Sequence, residues 1–197
     1  MPVYNAEISA GSLLPLESKR LAALLLTGAD EIAWRQAVEV DNILQKKTSA
    51  TARRQATLIR KRLTTLDKEA WEMLVSREQE VVLQLLLVAA IRHSRLLGDF
   101  LRGIYVSRQL RLERSLVAHD WHDFLEECAH LDHAVTSWSE STRAKLFQVI
   151  VRILVESKYL DNARRMSLTP RSLHPDVRRY LFDRKDTPMI NCLERAS

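Results

Sequence analysis

The feature that most constrains this fold is the scarcity of residues that break helices. No proline lies between Pro15 and Pro170, and that interval holds glycine only at positions 28, 98 and 103. β architectures need turn residues far more often than this. The interval is also rich in Leu, Ala, Arg, Glu and Gln, which favour helix. The sequence therefore predicts an all-α protein, folded as a compact helical bundle.

An apolar run from Val81 to Ile91 is predicted to form the central helix. Every residue in it except Gln84 is apolar, so a helix here has no polar face to offer to water and belongs in the interior. Ser76 and Gln79 fit a capping box at its start. A bilayer needs about 20 apolar residues. This run is about half that length and has charged neighbours, so no membrane span is predicted.

The chain is long enough for one substantial domain or two small lobes, and two helical lobes with an exposed linker between them are predicted. A chain of 197 residues with 46% hydrophobic content can bury a substantial core. Residues 1–66 carry 10 basic and 6 acidic groups, whereas 119–161 carry 4 and 8. We place the boundary near 107–118, which gives an N-terminal lobe at 1–112, containing the central and basic helices, and a C-terminal lobe at 113–197.

Several helix ends are predicted from capping residues. Pro15 and Gly28 bracket a first helix, and Asp30 is placed to cap a second. Asp120 is predicted to cap a helix in the acidic third quarter. Residues after Arg184 are expected to be loose.

The segment between Asp41 and Asp67 is the most informative part of the predicted surface, because it contains 7 basic side chains and no acidic one. An apolar stripe at helical spacing predicts a helix over about 50–66 that docks on the core. The stripe consists of Ala52, Ala56, Ile59, Leu63 and Leu66. The opposite side carries Arg53, Arg54, Thr57, Arg60 and Lys61.

Two interpretations of this basic face stay open. It is either a solubilising surface, as on most Lys- and Arg-rich helices, or a ridge that binds phosphate through the planar fork of arginine. Further basic clusters near residues 108–114 and 178–179 are candidates for the same role. The candidate DNA-contacting residues are Lys46, Lys47, Arg53, Arg54, Arg60, Lys61, Arg108, Arg111, Arg114, Arg178 and Arg179.

Catalytic and metal chemistry is not predicted. The chain lacks a Gly-rich phosphate loop and the G-x-S-x-G motif of hydrolases. His119-x-x-His122 followed by Cys128-x-His130-x-x-His133 contains zinc-binding residue types, but the spacing arises freely on helices and fits no zinc module. We therefore expect no enzyme activity, no cofactor, no metal and no small-molecule substrate.

Cys128 and Cys192 lie far apart in a chain without an N-terminal signal sequence. This pattern favours free thiols in a reducing compartment. A cytoplasmic location is therefore expected.

Short motifs occur in a fixed order and spacing over nearly the whole sequence. They are Tyr4-Asn-Ala-Glu-Ile-Ser-Ala-Gly-Ser-Leu13 with Glu17-Ser18, Ile59-Arg-Lys-Arg-Leu63, Gln84-Leu-Leu-Leu87 leading to Asp99-Phe100-Leu101, and Trp138-Ser-x-x-Thr142 with Lys145-Leu146. In the order and spacing of these motifs the chain resembles the BrxA family of the BREX bacteriophage-exclusion systems.

The resemblance implies a small, helical, cytosolic protein that binds double-stranded DNA and is similar in part to NusB-like bundles. Its partners would be other BREX proteins: a methyltransferase, an ATPase and a phosphatase-like protein. The family has no catalytic residues to carry over. Because no helix offers a set of Asn, Gln and Arg for base edges, little sequence specificity is expected. The alternative is a protein–protein adaptor without direct DNA contact.

Overall fold

The computed structural model describes residues 3–194. Within that range the regular secondary structure is helical, apart from two isolated β-bridges that join Ser115 to Ser167 and Leu160 to Leu168. The predicted all-α class is therefore confirmed, whereas the likeness to NusB stays a prediction.

Backbone contacts divide the chain into two compact units. The first is Leu13–His93, and the second combines residues 3–12 with 94–194. The boundary predicted between residues 112 and 113 lies inside the second unit. The division into lobes at 1–112 and 113–197 stays a prediction.

The unit Leu13–His93 is a helical bundle around one apolar helix. Its helices are α1 (Pro15–Leu26), α2 (Glu31–Arg35), α3 (Ser49–Leu63), α4 (Lys68–Ser76) and α5 (Gln79–His93). A π-helical turn, Gln36–Val40, continues α2. Helix α5 packs against α1, α3 and α4, and α3 also packs against α1.

The predicted central helix is α5, and all of its residues from Val81 to Ile91 are buried. Its predicted start was wrong. Ser76 is the last residue of α4, and its hydroxyl donates to the Glu72 carbonyl, so it does not cap α5. Among the described residues, none of the individual helices has both the length and the hydropathy of a membrane-spanning helix. Helix α5 reaches that length and hydropathy only when it is taken together with the helix Arg95–Leu110, and the chain bends between the two.

The other caps of this unit are as predicted. Pro15 occupies the first turn of α1, where a missing N–H costs nothing. Gly28 lies beyond the end of α1 with φ +72°, a left-handed conformation that favours glycine. Asp30 accepts a hydrogen bond from the Ala33 N–H at the start of α2.

The second unit contains a longer series of helices. They are α6 (Arg95–Phe100), α7 (Val106–Leu110), α8 (Ala118–Leu131), α9 (Glu140–Glu156), α10 (Pro175–Asp183) and α11 (Thr187–Leu193). A π-helical turn, Leu101–Tyr105, joins α6 to α7 without a break. Ser94 caps α6 as predicted, because its hydroxyl accepts from the Leu97 N–H.

Aromatic side chains form much of the core of this unit. The ring of Phe100 meets Trp121 and Phe124 edge-on, with centroids 5.8 and 5.3 Å apart. Tyr105 lies edge-on to Tyr159, and its hydroxyl donates to the Tyr159 carbonyl at 2.8 Å. These contacts hold the α6–α7 segment against α8 and the region after α9.

Two predictions about this unit were wrong. Asp120 is not the N-cap of α8 but lies in its first turn, where Oδ2 accepts from the Val117 N–H. Residues after Arg184 are not loose as far as Glu194, because they form α11 and bury Met189 and Ile190. The apolar residues of α11 are too few to show a helical period on their own.

The N-terminal segment is fixed to the second unit. The hydroxyl of buried Tyr4 donates to Asp99 Oδ2 at 2.9 Å, and its backbone N–H donates to Asp132. Arg95 and Arg102 also pair with Asp99. Burial alone would raise the pKa of Asp99, but the hydrogen bonds from Arg102, Tyr4 and Arg95 outweigh it and lower that pKa.

Candidate nucleic-acid interface

Helix α3 separates apolar and basic side chains as its sequence predicted. All five residues of the apolar stripe are buried. At about 100° per residue, the basic residues span an arc of about 120° on the opposite side. We call Lys47 together with these α3 residues the basic ridge: Lys47, Arg53, Arg54, Arg60 and Lys61. Arg62 is buried on the other side of α3 and does not belong to it.

The local backbone explains why the ridge begins at Lys47. Thr48 is extended and caps α3, with its hydroxyl accepting from the Thr51 N–H at 3.2 Å. The first turn of α3 carries no acidic residue. Lys47 therefore precedes a helix N-terminus, where the macrodipole and free N–H groups also favour a negatively charged ligand.

Acidic residues from other helices reduce the charge of this region, although none lies between Asp41 and Asp67 in sequence. Arg60 pairs with Glu31 at 2.8 Å and lies over the Trp34 ring at 4.5 Å. Arg53 lies 3.9 Å from Glu39. The acidic neighbours of this face therefore come from α2 and its π-helical turn, which precede the basic segment in sequence.

The basic residues of this region differ in how available they are. Lys46 is largely enclosed and pairs with Glu17. Lys47 and Arg54 are exposed and make no ion pair or side-chain hydrogen bond among the described residues. Arg53 keeps 58% of its side chain exposed, and its contact with Glu39 is at the distance limit of an ion pair. Lys47, Arg53 and Arg54 are thus the side chains most available to an anion.

Arg108 occupies a very different environment in the second unit. Its guanidinium donates to Asp120 Oδ1 through Nη2 at 2.6 Å and through Nε at 2.9 Å. It also pairs with Glu113 and donates to the Ser115 carbonyl. We call these four residues the Arg108 network. Only 20% of the Arg108 side chain is exposed, so most of its hydrogen-bonding capacity is already used inside the protein.

Arg111 and Arg114 do not continue a helix from Arg108. Helix α7 ends at Leu110, and Leu112 has φ +59°, so Arg111 and Arg114 do not share a helical face with Arg108. Both side chains are exposed and have no ion pair within residues 3–194. Both arginines are therefore available to bind an anion, although they lie on a loop and not on a helix.

Arg178 and Arg179 lie on α10 and are partly neutralised. Arg178 Nε contacts both carboxylate oxygens of Glu194, at 3.1 and 3.3 Å. Arg179 lies 3.6 Å from Asp176, one turn earlier on the helix. Both side chains stay largely exposed, so these exposed pairs stabilise little and can be exchanged for a phosphate.

Two further arginines were missed in the sequence. Arg164 and Arg165 lie exposed on a turn whose backbone N–H groups are held by the Asn162 side chain. The bridge between Ser115 and Ser167 ties this turn to the segment that carries Arg114. The adjacent arginines are themselves visible in the sequence. Their proximity to the loop that carries Arg114 is not, because it depends on the bridge between Ser115 and Ser167, which has no local sequence signature.

Comparisons with known proteins agree with the resemblance seen in the sequence. The BrxA family model matches residues 2–185. BREX protein BrxA from Paramagnetospirillum magneticum is 39% identical over 98% of this chain and 97% of its own length. BREX protein BrxA from Escherichia coli O9:H4 is 34% identical, covering 97% of this chain and 90% of its own.

A solved structure has the same fold. The crystal structure of an uncharacterized protein from Magnetospirillum magneticum superposes with a TM-score of 0.91 at 37% identity, covering 99% of this chain and 100% of the other. The match of both sequence and fold over nearly the full length shows that this chain belongs to the BrxA family.

Proposed function

We propose that this chain is a non-catalytic BREX component that binds double-stranded DNA through its phosphates. Membership of the BrxA family, and relatives named as BREX proteins, support the role in phage defence. The observation that carries the DNA-binding proposal is the basic ridge, in which Lys47, Arg53 and Arg54 are exposed and α3 has no acidic residue in its first turn. Other BREX proteins are the proposed protein partners.

Phosphate contact explains both affinity and low sequence specificity. Lys and Arg side chains that neutralise phosphates release condensed counterions, and this supplies binding free energy that does not depend on base sequence. The ridge residues 53 to 61 cover about 12 Å along α3. That length corresponds to between three and four steps of about 3.4 Å along one DNA strand. Loop residues Arg111, Arg114, Arg164 and Arg165 are proposed as additional contacts.

The salt dependence of binding tests the proposal directly. Anisotropy of a labelled plain duplex is measured at a series of salt concentrations. If about five phosphates are neutralised, log affinity falls against log salt with a slope of about −4 to −5. No binding at low salt, or an affinity that does not change with salt, overturns the proposal.

The alternative function, a protein–protein adaptor, is favoured by a groove between α8 and α9. Its volume is about 530 Å³, and Trp121, Leu125 and Phe147 contribute its apolar lining. Glu126 and Glu140 lie at this groove with largely exposed side chains. An apolar floor with acidic groups suits an amphipathic helix with a basic edge. The adaptor is favoured if a BREX partner binds to this groove in the absence of DNA and if the affinity for the duplex does not change with salt.

A further inference from the structure

A cluster of imidazole and carboxylate groups lies on the exposed face of α8. His119 Nε2 is 3.2 Å from Asp123 Oδ1, and His122 Nδ1 is 4.0 Å from the same oxygen. Ligand atoms of these three residues all lie within 4.8 Å of one another. Glu126 adds a fourth group, with Oε1 at 3.6 Å from His122 Nδ1.

Helical geometry produces this convergence. Positions 119, 122, 123 and 126 follow an i, i+3, i+4, i+7 pattern, which spans an arc of about 100° and a length of about 10 Å. Four side chains on one face of a single helix are thus placed by the helix itself. The cluster does not depend on any contact outside α8.

The distances suit a small tetrahedral ion. Zinc binds His nitrogen at about 2.0–2.1 Å and carboxylate oxygen at similar lengths, so neighbouring ligand atoms in a tetrahedral site lie about 3.4 Å apart. The separations of 3.2 and 4.0 Å that join the two histidines to Asp123 bracket that value. Glu126 is close to His122 but lies outside the group of three whose ligand atoms are all within 4.8 Å of one another, so water is expected to take the fourth position.

The ligand types and charges also suit a divalent cation. Imidazole with carboxylate suits zinc-like ions better than magnesium or calcium, which prefer oxygen alone. The Asp123 carboxylate offsets part of the charge of a divalent ion, and the neighbouring Glu126 adds further negative charge beside His122.

This ligand set differs from the Cys- and His-containing pattern considered in the sequence. Cys128 is buried, and burial raises the pKa of its thiol to about 11, so a thiolate ligand is disfavoured there. It also lies about 180° around the helix from the midpoint of the cluster. His130 lies about 16 Å along the helix from His119. The carboxylate of Asp123 takes the place of those residues.

We propose that His119, His122 and Asp123 form a site for a divalent transition-metal ion such as Zn²⁺. The site is open to solvent, so a water or a donor from a bound partner can take the fourth position. It stands apart from the DNA-binding proposal and uses none of the basic ridge residues.

Cobalt absorption tests the site on the full chain without an affinity tag. Titration with Co²⁺ should give visible d–d bands of a four-coordinate site that saturate at one equivalent, with a dissociation constant on the order of micromolar. Added Zn²⁺ should abolish the bands, because Zn²⁺ binds such sites more tightly than Co²⁺.

Matched double variants identify the ligands. H119A/H122A should weaken Co²⁺ binding by at least about tenfold. H130A/H133A removes a second exposed histidine pair with the same spacing and should leave binding unchanged. D123N tests the shared carboxylate with minimal change in shape, and circular dichroism checks that each variant is folded. The absence of saturable bands in the wild type, or equal losses in the two histidine pairs, overturns the proposal.

Discussion

The basic ridge and the Arg108 network use the same side-chain type for opposite purposes. Arg54 is exposed and unpaired among the described residues, whereas Arg108 is enclosed by Asp120, Glu113 and the Ser115 carbonyl. Both were equally basic in the sequence. The difference teaches that the number of carboxylates around an arginine, more than local charge density along the chain, decides whether it is available to a ligand.

Charge reversal on the ridge should give the largest effect. K47E/R53E/R54E should lower duplex affinity by about 100-fold or more, because three phosphate contacts become repulsive. Anisotropy titration at constant salt measures this. The matched control is K145E/R152E/K158E, which changes net charge equally at exposed positions without ion pairs among the described residues. Equal losses in both variants would show that overall charge, not the ridge, controls binding.

Removal of the enclosed arginine should affect folding instead. Arg108→Ala leaves Asp120 without its guanidinium partner in a largely buried position, so the free energy of unfolding should fall by about 2 kcal/mol. Arg54→Ala should change it by less than about 0.5 kcal/mol. Urea denaturation of both variants measures the contrast. Comparable stability of the two would contradict the division between a structural and an available arginine.

Asp99, which is paired with Tyr4, Arg95 and Arg102, gives a third test of how paired charges contribute to stability, with pH as the variable. The pKa of Asp99 is lower in the folded protein than in the unfolded chain, so its contribution is present above the unfolded value and lost as pH falls through the folded one. Asp99→Asn should cost about 1 kcal/mol at pH 7. The difference from wild type should shrink below about pH 4. A difference that persists unchanged into acid would assign the loss to packing.

The loop arginines should give the smallest effect. R111A/R114A should weaken duplex binding by about threefold and make the salt slope less negative by about 1 to 2. Stability should not change, because neither side chain has an ion pair within residues 3–194. An unchanged affinity and slope would confine DNA contact to residues outside this loop.

Much of the fold was predictable because its signals are local. The stripe from Ala52 to Leu66 and the apolar run at Val81–Ile91 specify their own burial through helical periodicity. Capping by Asp30 and the left-handed Gly28 follow equally short rules. These features need no knowledge of what packs against them.

The availability of each charge was not predictable in the same way. Glu31 and Glu39 precede the basic segment and reach it only after the chain has folded back. Asp120 fits the pattern of an N-cap, yet it serves as the partner of Arg108 from inside the first turn of α8. Ser76 matched a capping box but remained in α4, since that helix continued one residue further than its apolar pattern indicated.

The π-helical turn Leu101–Tyr105 holds a spare residue ahead of the Arg108 network. Because this turn accommodates one more residue than an α-helical turn, a chain that lost one residue there could become α-helical and still direct Arg108 towards Asp120. A deletion between Val106 and Arg108 has no such reserve, because in regular α-helix it would rotate Arg108 by about 100°. Homologous chains that keep this network should therefore vary by one residue in the turn more readily than in α7.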